Sequence, residues 1–146
     1  MVKRELLRSM NKPIPAESVY WRNMYIPSRS KILRTYDILN TLVFKDSLTP
    51  CKIATKTPFN AWAFAYQMPK HRTEIWLNGR FPCEQFFIAV LGHEMVHQWQ
   101  WDVSSKRRWK QGKEPKTDHD DTFYQWQDAF DQYDIHFGKH IPHYYE

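Results

Sequence analysis

Cysteine and glycine are scarce in this sequence. Its 146 residues include two cysteines, Cys51 and Cys83, and four glycines. Two cysteines are too few for a disulfide scaffold, a four-cysteine zinc ribbon or an iron–sulfur cluster. We therefore expect two reduced, partly buried thiols.

Long hydrophobic runs are also missing. The longest, FFIAVL at 86–91, has six residues, whereas a membrane-spanning helix needs roughly 20. The first residues, MVKRELLRSMNKPIPAE, lack the apolar stretch of a signal peptide. We therefore expect an intracellular, cytoplasmic protein with no membrane partner.

Aromatic residues, in contrast, are abundant. They make up 16% of the chain, and hydrophobic residues as a whole make up 42%. This content excludes a disordered chain and predicts a single domain with a core rich in rings. The formal charge of +5 is compatible with an acidic partner such as nucleic acid, but it does not require one.

Hydrophobic periodicity predicts one helix and three strands in the first half of the chain. Apolar residues at helical spacing predict an amphipathic helix over 30–44, with Ser30 as its N-cap. Strand-like stretches follow at 51–56, 59–66 and 72–78.

Two further helices are predicted in the second half. One covers 83–101, and Pro82 and Glu84 mark its beginning. The other begins near Thr117, where Thr117-x-x-Asp120 is similar to a capping box, and ends by Gly138. A helix, then strands, then two helices is the order of an α+β fold with segregated elements.

The stretch HEMVHQW begins with two histidines four residues apart. On a helix, His93 and His97 lie one turn apart, so both imidazoles face one point. Glu94 lies about 100° further round the helix, where it can take a proton from a metal-held water. This H-E-x-x-H pattern predicts a Zn²⁺ site with Glu94 as the general base. The alternative is a polar stripe on a half-buried helix, although burying these groups without a role is costly.

A catalytic zinc needs a third protein ligand. His119 is the best candidate because it begins an aromatic face of the last predicted helix. The residues of that face follow at helical spacing: Phe123, Trp126, Phe130 and Tyr133. Two alternatives stay open, a solvent-facing His119 and an aspartate ligand, Asp118 or Asp121. The other histidines are His71, His136, His140 and His143.

The stretch between the last two predicted helices is basic. Residues 102–118 carry six lysines and arginines against three acids, with Trp109 among the cations. A ring among cations is a stacking site for unpaired bases, so DNA is a candidate partner through the loop 104–116. The alternative is an ordinary solvated loop, since lysine-rich loops are common.

These motifs together resemble the SprT-like (Spartan-type) zinc metalloprotease domain. HEMVHQW is followed 22 residues after His97 by His119-x-x-x-Phe123. Upstream, YDILNTLVFKDSLTP with Asn40 is similar to the family's helix that ends in an Asn-x-x-Leu/Val-Phe motif. FNAWAFAY with Trp62 and the strand EIWLN are similar to the strands before the active-site helix. The resemblance covers roughly residues 31–137.

The resemblance implies an α+β zincin-like fold in which a small, mainly antiparallel sheet packs against helices, including the H-E-x-x-H helix. It implies a zinc metallopeptidase that hydrolyses peptide bonds, with DNA-associated proteins as candidate substrates and Zn²⁺ on His93, His97 and His119. Residues 1–30 are then an N-terminal arm, 31–137 the domain and 138–146 a tail.

The chain departs from the family pattern in two ways. Asp120 stands where the family usually has glycine, and the cysteine-rich zinc ribbon that often follows the domain is missing from this sequence. The second departure leaves DNA-dependent regulation open. The rival function is a nucleic-acid adaptor with an inactive or structural zinc site, against which Glu94 argues. A zinc hydrolase acting on a non-peptide amide would share every one of these residues.

Overall fold

The computed structural model describes residues 24–56, 61–68 and 72–135. Helix α1, Arg29–Leu42, begins after Ser28, whose Oγ accepts a hydrogen bond from Lys31 N at 3.0 Å. The predicted N-cap, Ser30, is therefore wrong by two residues. Ser28 caps the helix because its extended backbone directs the hydroxyl at the first free amides.

The sheet has three strands and is mixed. Strands β1, Lys52–Lys56, β2, Ala63–Met68, and β3, Arg72–Asn78, lie in the order β1-β3-β2. β2 and β3 pair antiparallel, whereas β1 runs parallel to β3. The expectation of a mainly antiparallel sheet is corrected here, because β1 pairs with the far edge of β3 and not with its neighbour in sequence.

Strand alternation sorts the side chains of β3 between two faces. Ile75 and Leu77 are fully buried and Thr73 is nearly so, while Glu74 and Trp76 between them are half-buried on the other face. The buried face packs against the helices, where it continues into the aromatic core.

A long helical segment crosses the core. Helix α2, Glu84–Trp99, is buried along nearly its whole length. The chain continues without a break through a π-helical turn, Gln100–Ser104, into α3, Ser105–Lys110. The predicted loop 104–116 is thus helical as far as Lys110. Gly112 ends it, since its φ of 70° is the left-handed conformation typical of a residue after a helix.

Two short helices replace the single helix predicted after Thr117. They are α4, Asp121–Tyr124, and α5, Gln127–Asp131. Asp120 is the N-cap of α4, and its carboxylate accepts from Thr122 N at 2.9 Å, so the predicted capping box at Thr117 is wrong. The aromatic face is confirmed in part, because Phe123 and Phe130 are fully buried while Trp126 and Tyr133 are half-buried.

Buried polar side chains join α1 to α2 and to the loop between α1 and β1. The Tyr36 hydroxyl donates to Gln98 Oε1 at 2.8 Å. The Asn40 amide donates to Leu48 O at 2.9 Å and accepts from Leu48 N at 3.2 Å. Both cysteines are free thiols and half-buried, as expected. Within the described ranges, no helix is long and apolar enough to cross a membrane.

Candidate metal centre

Helix α2 carries the first two candidate ligands on one side. The ring centroids of His93 and His97 are 5.0 Å apart, one helical turn from each other. His93 is buried and His97 half-buried, since the apolar run before them carries the helix through the core. Helix geometry thus brings this predicted pair together.

The third histidine reaches the same point from the segment before α4. His119 Nε2 lies 3.2 Å from His93 Nε2, and its ring centroid is 5.0 Å from that of His97. The candidate ligand atoms of the three residues all lie within 4.8 Å of one another. Tetrahedral zinc with bonds of about 2.0–2.1 Å separates its ligand nitrogens by about 3.3 Å. The cluster can therefore hold a metal ion after small side-chain movements.

One aromatic ring lies against all three imidazoles. The Phe123 centroid is 4.8 Å from that of His93, 5.1 Å from His97 and 4.9 Å from His119. Phe123 is fully buried, so it closes the core side of the cluster and limits how the rings can turn.

Gln100, the first residue of the π-helical turn, joins two parts of the cluster. Its Oε1 lies 2.7 Å from His97 Nδ1, which donates in this pair and leaves Nε2 free to bind a metal. Its Nε2 donates to Asp118 O and to Thr122 Oγ1, both at 2.8 Å. The Gln100 side chain therefore connects α2 to the segment that carries His119.

The protonation of His97 also suits metal binding. Burial lowers the pKa of His97, and the hydrogen bond to Gln100 opposes this effect only in part. Metals bind the neutral imidazole, so burial favours the form that a metal needs.

Neither aspartate considered as a third ligand belongs to the cluster. Asp118 Oδ1 lies 3.1 Å from His119 Nδ1, a position from which it can orient the ring, and it is not one of the three candidate ligands. Asp121 pairs with Lys116 Nζ at 2.7 Å. In the described part of the chain, the three histidines are the one group of this kind.

Glu94 is buried in the wall of the same cleft. Its side chain is 7% exposed, and burial raises its pKa to about 8. A carboxyl group with a raised pKa is suited to accept and return protons near neutral pH.

An open cleft of about 340 Å³ gives access to these groups. Its walls are β2 on one side and the helices on the other, and the lining residues include Ala63, Ala65, Glu94, Trp101 and Thr117 beside the three histidines. β2 pairs only with β3 in the described sheet, so it is an edge strand at the mouth of the cleft.

Sequence reasoning did not predict that Gln100 and Asp118 contact the candidate ligands His97 and His119. Gln100 follows His97 by three residues on a helix, and this spacing alone would have placed it beside a ligand. The other histidines, His71, His136, His140 and His143, lie outside the described residues.

No family model, no curated protein and no solved structure matches this chain.

Proposed function

We propose that this chain is a SprT-like zinc metallopeptidase with a zincin-like fold. His93, His97 and His119 hold the ion, and three imidazoles favour zinc among the common divalent metals of such sites. Three protein ligands leave one coordination position for water or substrate.

In the proposed reaction, Glu94 moves the protons. When bound, zinc supplies Lewis acidity, which lowers the pKa of water towards 7 and polarises a peptide carbonyl. Glu94 accepts a proton from the attacking water and returns it to the leaving amine. Asp118 orients the ring of His119, and Gln100 orients the ring of His97.

The observation that carries the proposal is that Glu94 lies buried in the cleft with the three histidines. A structural zinc site has no need of a carboxylate there and usually has four protein ligands, whereas the described residues supply three. Leaving an ionisable group buried costs stability, which favours a catalytic role for Glu94.

The edge strand supports a peptide substrate over other amides. An extended peptide can add to the free edge of β2 through backbone hydrogen bonds, with its scissile bond directed into the cleft. A small non-peptide amide would make no use of that edge.

The proposal is tested by the metal content and by the metal dependence of cleavage. The purified chain should carry about one Zn²⁺ per molecule. Cleavage of an unfolded protein substrate, or of the chain itself, should stop on chelation and return when zinc is added. The assay is run with and without single-stranded DNA. Cleavage that survives complete removal of the metal contradicts the proposal.

The second candidate is a nucleic-acid adaptor of the same fold. The observation that favours it is on α3, where Trp109 is 80% exposed among Lys106, Arg107 and Lys110. If the wild-type protein binds zinc and DNA but cleaves nothing in the same assay, the result favours the adaptor.

A further inference from the structure

Two small side chains of β2 line the cleft that the three histidines share. Ala63 and Ala65 are the register partners of Leu77 and Ile75 on β3, both of which are fully buried. Register partners lie on the same face of a sheet, and this face packs against the helices. The edge strand therefore presents only methyl groups to the cleft at these two positions.

A large ring lies on the helical side of the same cleft. Trp101, in the π-helical turn, is half-buried, and its ring centroid lies 6.5 Å from that of His97. Phe64, which follows Ala63 on β2 and is 44% exposed, also borders the cleft. Beside the histidines, the cleft thus has an apolar part made of two rings and two methyl groups.

The charged groups of the cleft give little support to a charged substrate side chain. No lysine or arginine is among the described residues that line it. The Asp118 carboxylate is already engaged by the ring and the backbone N–H of His119. A neutral, apolar side chain is therefore the best match for the space between β2 and Trp101.

The position of that space relative to a substrate follows from strand geometry. This inference rests on the proposed function, in which an extended peptide adds to the free edge of β2. Every second side chain of such a peptide faces the cleft, and side chains directly opposite each other on paired strands have Cβ atoms about 4.5–5.5 Å apart. Opposite Ala63 or Ala65, a methyl group leaves room for a large side chain that reaches towards Trp101.

We propose that Ala63, Ala65 and Trp101 form a specificity pocket for a large apolar side chain, such as that of Phe or Leu, beside the scissile bond. Burial of such a side chain against the ring stabilises the bound substrate, whereas an alanine in the same place buries much less apolar surface. These three residues move no protons; they select the bond that is cleaved.

The preference of the wild-type protein is measured first. The zinc-loaded chain is incubated with a peptide library, and the cleaved bonds are mapped by mass spectrometry. Large apolar residues should be enriched at one of the two positions that flank the cleaved bond. Quenched fluorescent peptides that differ only there, Phe against Ala, should differ in kcat/KM by at least about tenfold. Peptides with Lys or Asp at that position should be no better than the Ala peptide.

Filling the pocket should change this preference. Ala65→Leu should lower kcat/KM for the Phe peptide by at least about tenfold, because the added side chain occupies the space, and should leave the Ala peptide nearly unaffected. Ala54→Leu is the matched control, since Ala54 is a half-buried alanine of β1 whose register partner is Trp76 and which does not line the cleft. The control should keep the ratio of the two rates.

Removing the ring should act on the same ratio. Trp101→Ala should lower kcat/KM for the Phe peptide more than for the Ala peptide, whereas Trp109→Ala, which removes an 80% exposed ring outside the cleft, should leave both unchanged.

Binding gives a second readout that needs neither zinc nor turnover. Fluorescence anisotropy with labelled Phe and Ala peptides measures the Kd of the metal-free chain. The Phe peptide should bind at least about tenfold more tightly, and Trp101→Ala should remove most of that difference. This comparison replaces Ala65→Leu if near-ultraviolet circular dichroism shows that the filled variant is misfolded.

The outcomes separate this proposal from the proposed function. If the wild-type protein cleaves peptides without a preference, or prefers Lys or Asp, the pocket proposal is overturned and the peptidase function stands. An unchanged Phe-to-Ala ratio in folded Ala65→Leu and Trp101→Ala variants overturns it as well. If the wild-type protein cleaves no peptide at all, the peptidase function is contradicted and the pocket proposal falls with it.

Discussion

His97 Nδ1 lies 2.7 Å from Gln100 Oε1, and the other end of the same amide holds the backbone of Asp118. The Gln100 side chain therefore fixes the ring of His97 and the position of Asp118, the residue before His119. Gln100 is fully buried, so no water competes for these hydrogen bonds. This relationship makes the geometry of the candidate metal centre depend on a residue outside the three candidate ligands.

The Gln100→Ala variant should bind zinc about 10- to 100-fold more weakly, which is the usual effect of removing a partner that orients a ligand. Competition with a chromophoric chelator measures the affinity. Gln98→Ala is the matched control, since Gln98 is an equally buried amide that holds Tyr36 and Thr49. The control should lower the melting temperature and leave zinc affinity near that of wild type. Equal losses of affinity in both variants would mean that Gln100 acts only on stability.

Replacing His119 should weaken zinc binding further, by at least about 100-fold, because a ligand and not its support is removed. The His119→Ala variant is compared with His136→Ala, His140→Ala and His143→Ala, which should retain zinc. Metal content after dialysis is the measurement. If His119→Ala retains zinc and one of the other three variants loses it, His119 is not the third ligand.

Glu94 should destabilise the metal-free protein as the pH rises. Its pKa is raised by burial to about 8, whereas the unfolded chain has an ordinary glutamate with a pKa of about 4.3. Between these values the unfolded state has lost a proton that the folded state keeps, so the free energy of unfolding falls with increasing pH. Glutamine resembles the protonated form and escapes this loss.

The metal-free Glu94→Gln variant should therefore be more stable than wild type at pH 8, by a few kcal/mol at most. The difference should nearly vanish by pH 4.5. Urea unfolding at several pH values in the presence of chelator measures it. A difference that is independent of pH would show that ionisation of Glu94 is not its cause.

Gly92 allows α2 to approach α5 closely beside the candidate metal centre. A Cβ at this position would lie 2.7 Å from Phe130 Cε1, and Phe130 is fully buried. Gly92→Ala should therefore reduce the free energy of unfolding by about 1–3 kcal/mol. In Gly92→Ala/Phe130→Leu the smaller side chain relieves the clash, so the loss should be less than the sum of the two single changes. Additive losses in urea unfolding would contradict this contact.

Parts of this fold follow from sequence patterns because they depend on local periodicity. The spacing of His93 and His97 and the alternation in RTEIWLN are local, and both are found where they were predicted. The mixed sheet was not predictable, since the pairing of β1 with β3 is decided by contacts far apart in the chain. The helix over 105–110 was missed because its basic composition is also that of a loop.

In the candidate site, too, local spacing was predictable and contacts between distant segments were not. His119 could be predicted as a ligand because aromatic residues follow it at helical spacing. This spacing indicated a buried face that begins at His119, and Phe123 on that face is fully buried. The spacing of Gln100 places it beside His97, but its hydrogen bonds to the carbonyl of Asp118 and to Thr122 were not predictable, because those residues belong to another segment.

The central claim is that Glu94 carries protons and does not hold the metal. Glu94→Gln keeps the shape of the side chain but cannot accept a proton, so it should retain about one zinc per chain and lose cleavage by at least about 100-fold. The decisive measurement is the cleavage rate of wild type and Glu94→Gln at equal zinc content, with self-cleavage included. We expect zinc to be kept and cleavage to be lost. Equal cleavage by the two proteins would contradict the assignment of Glu94 as the general base.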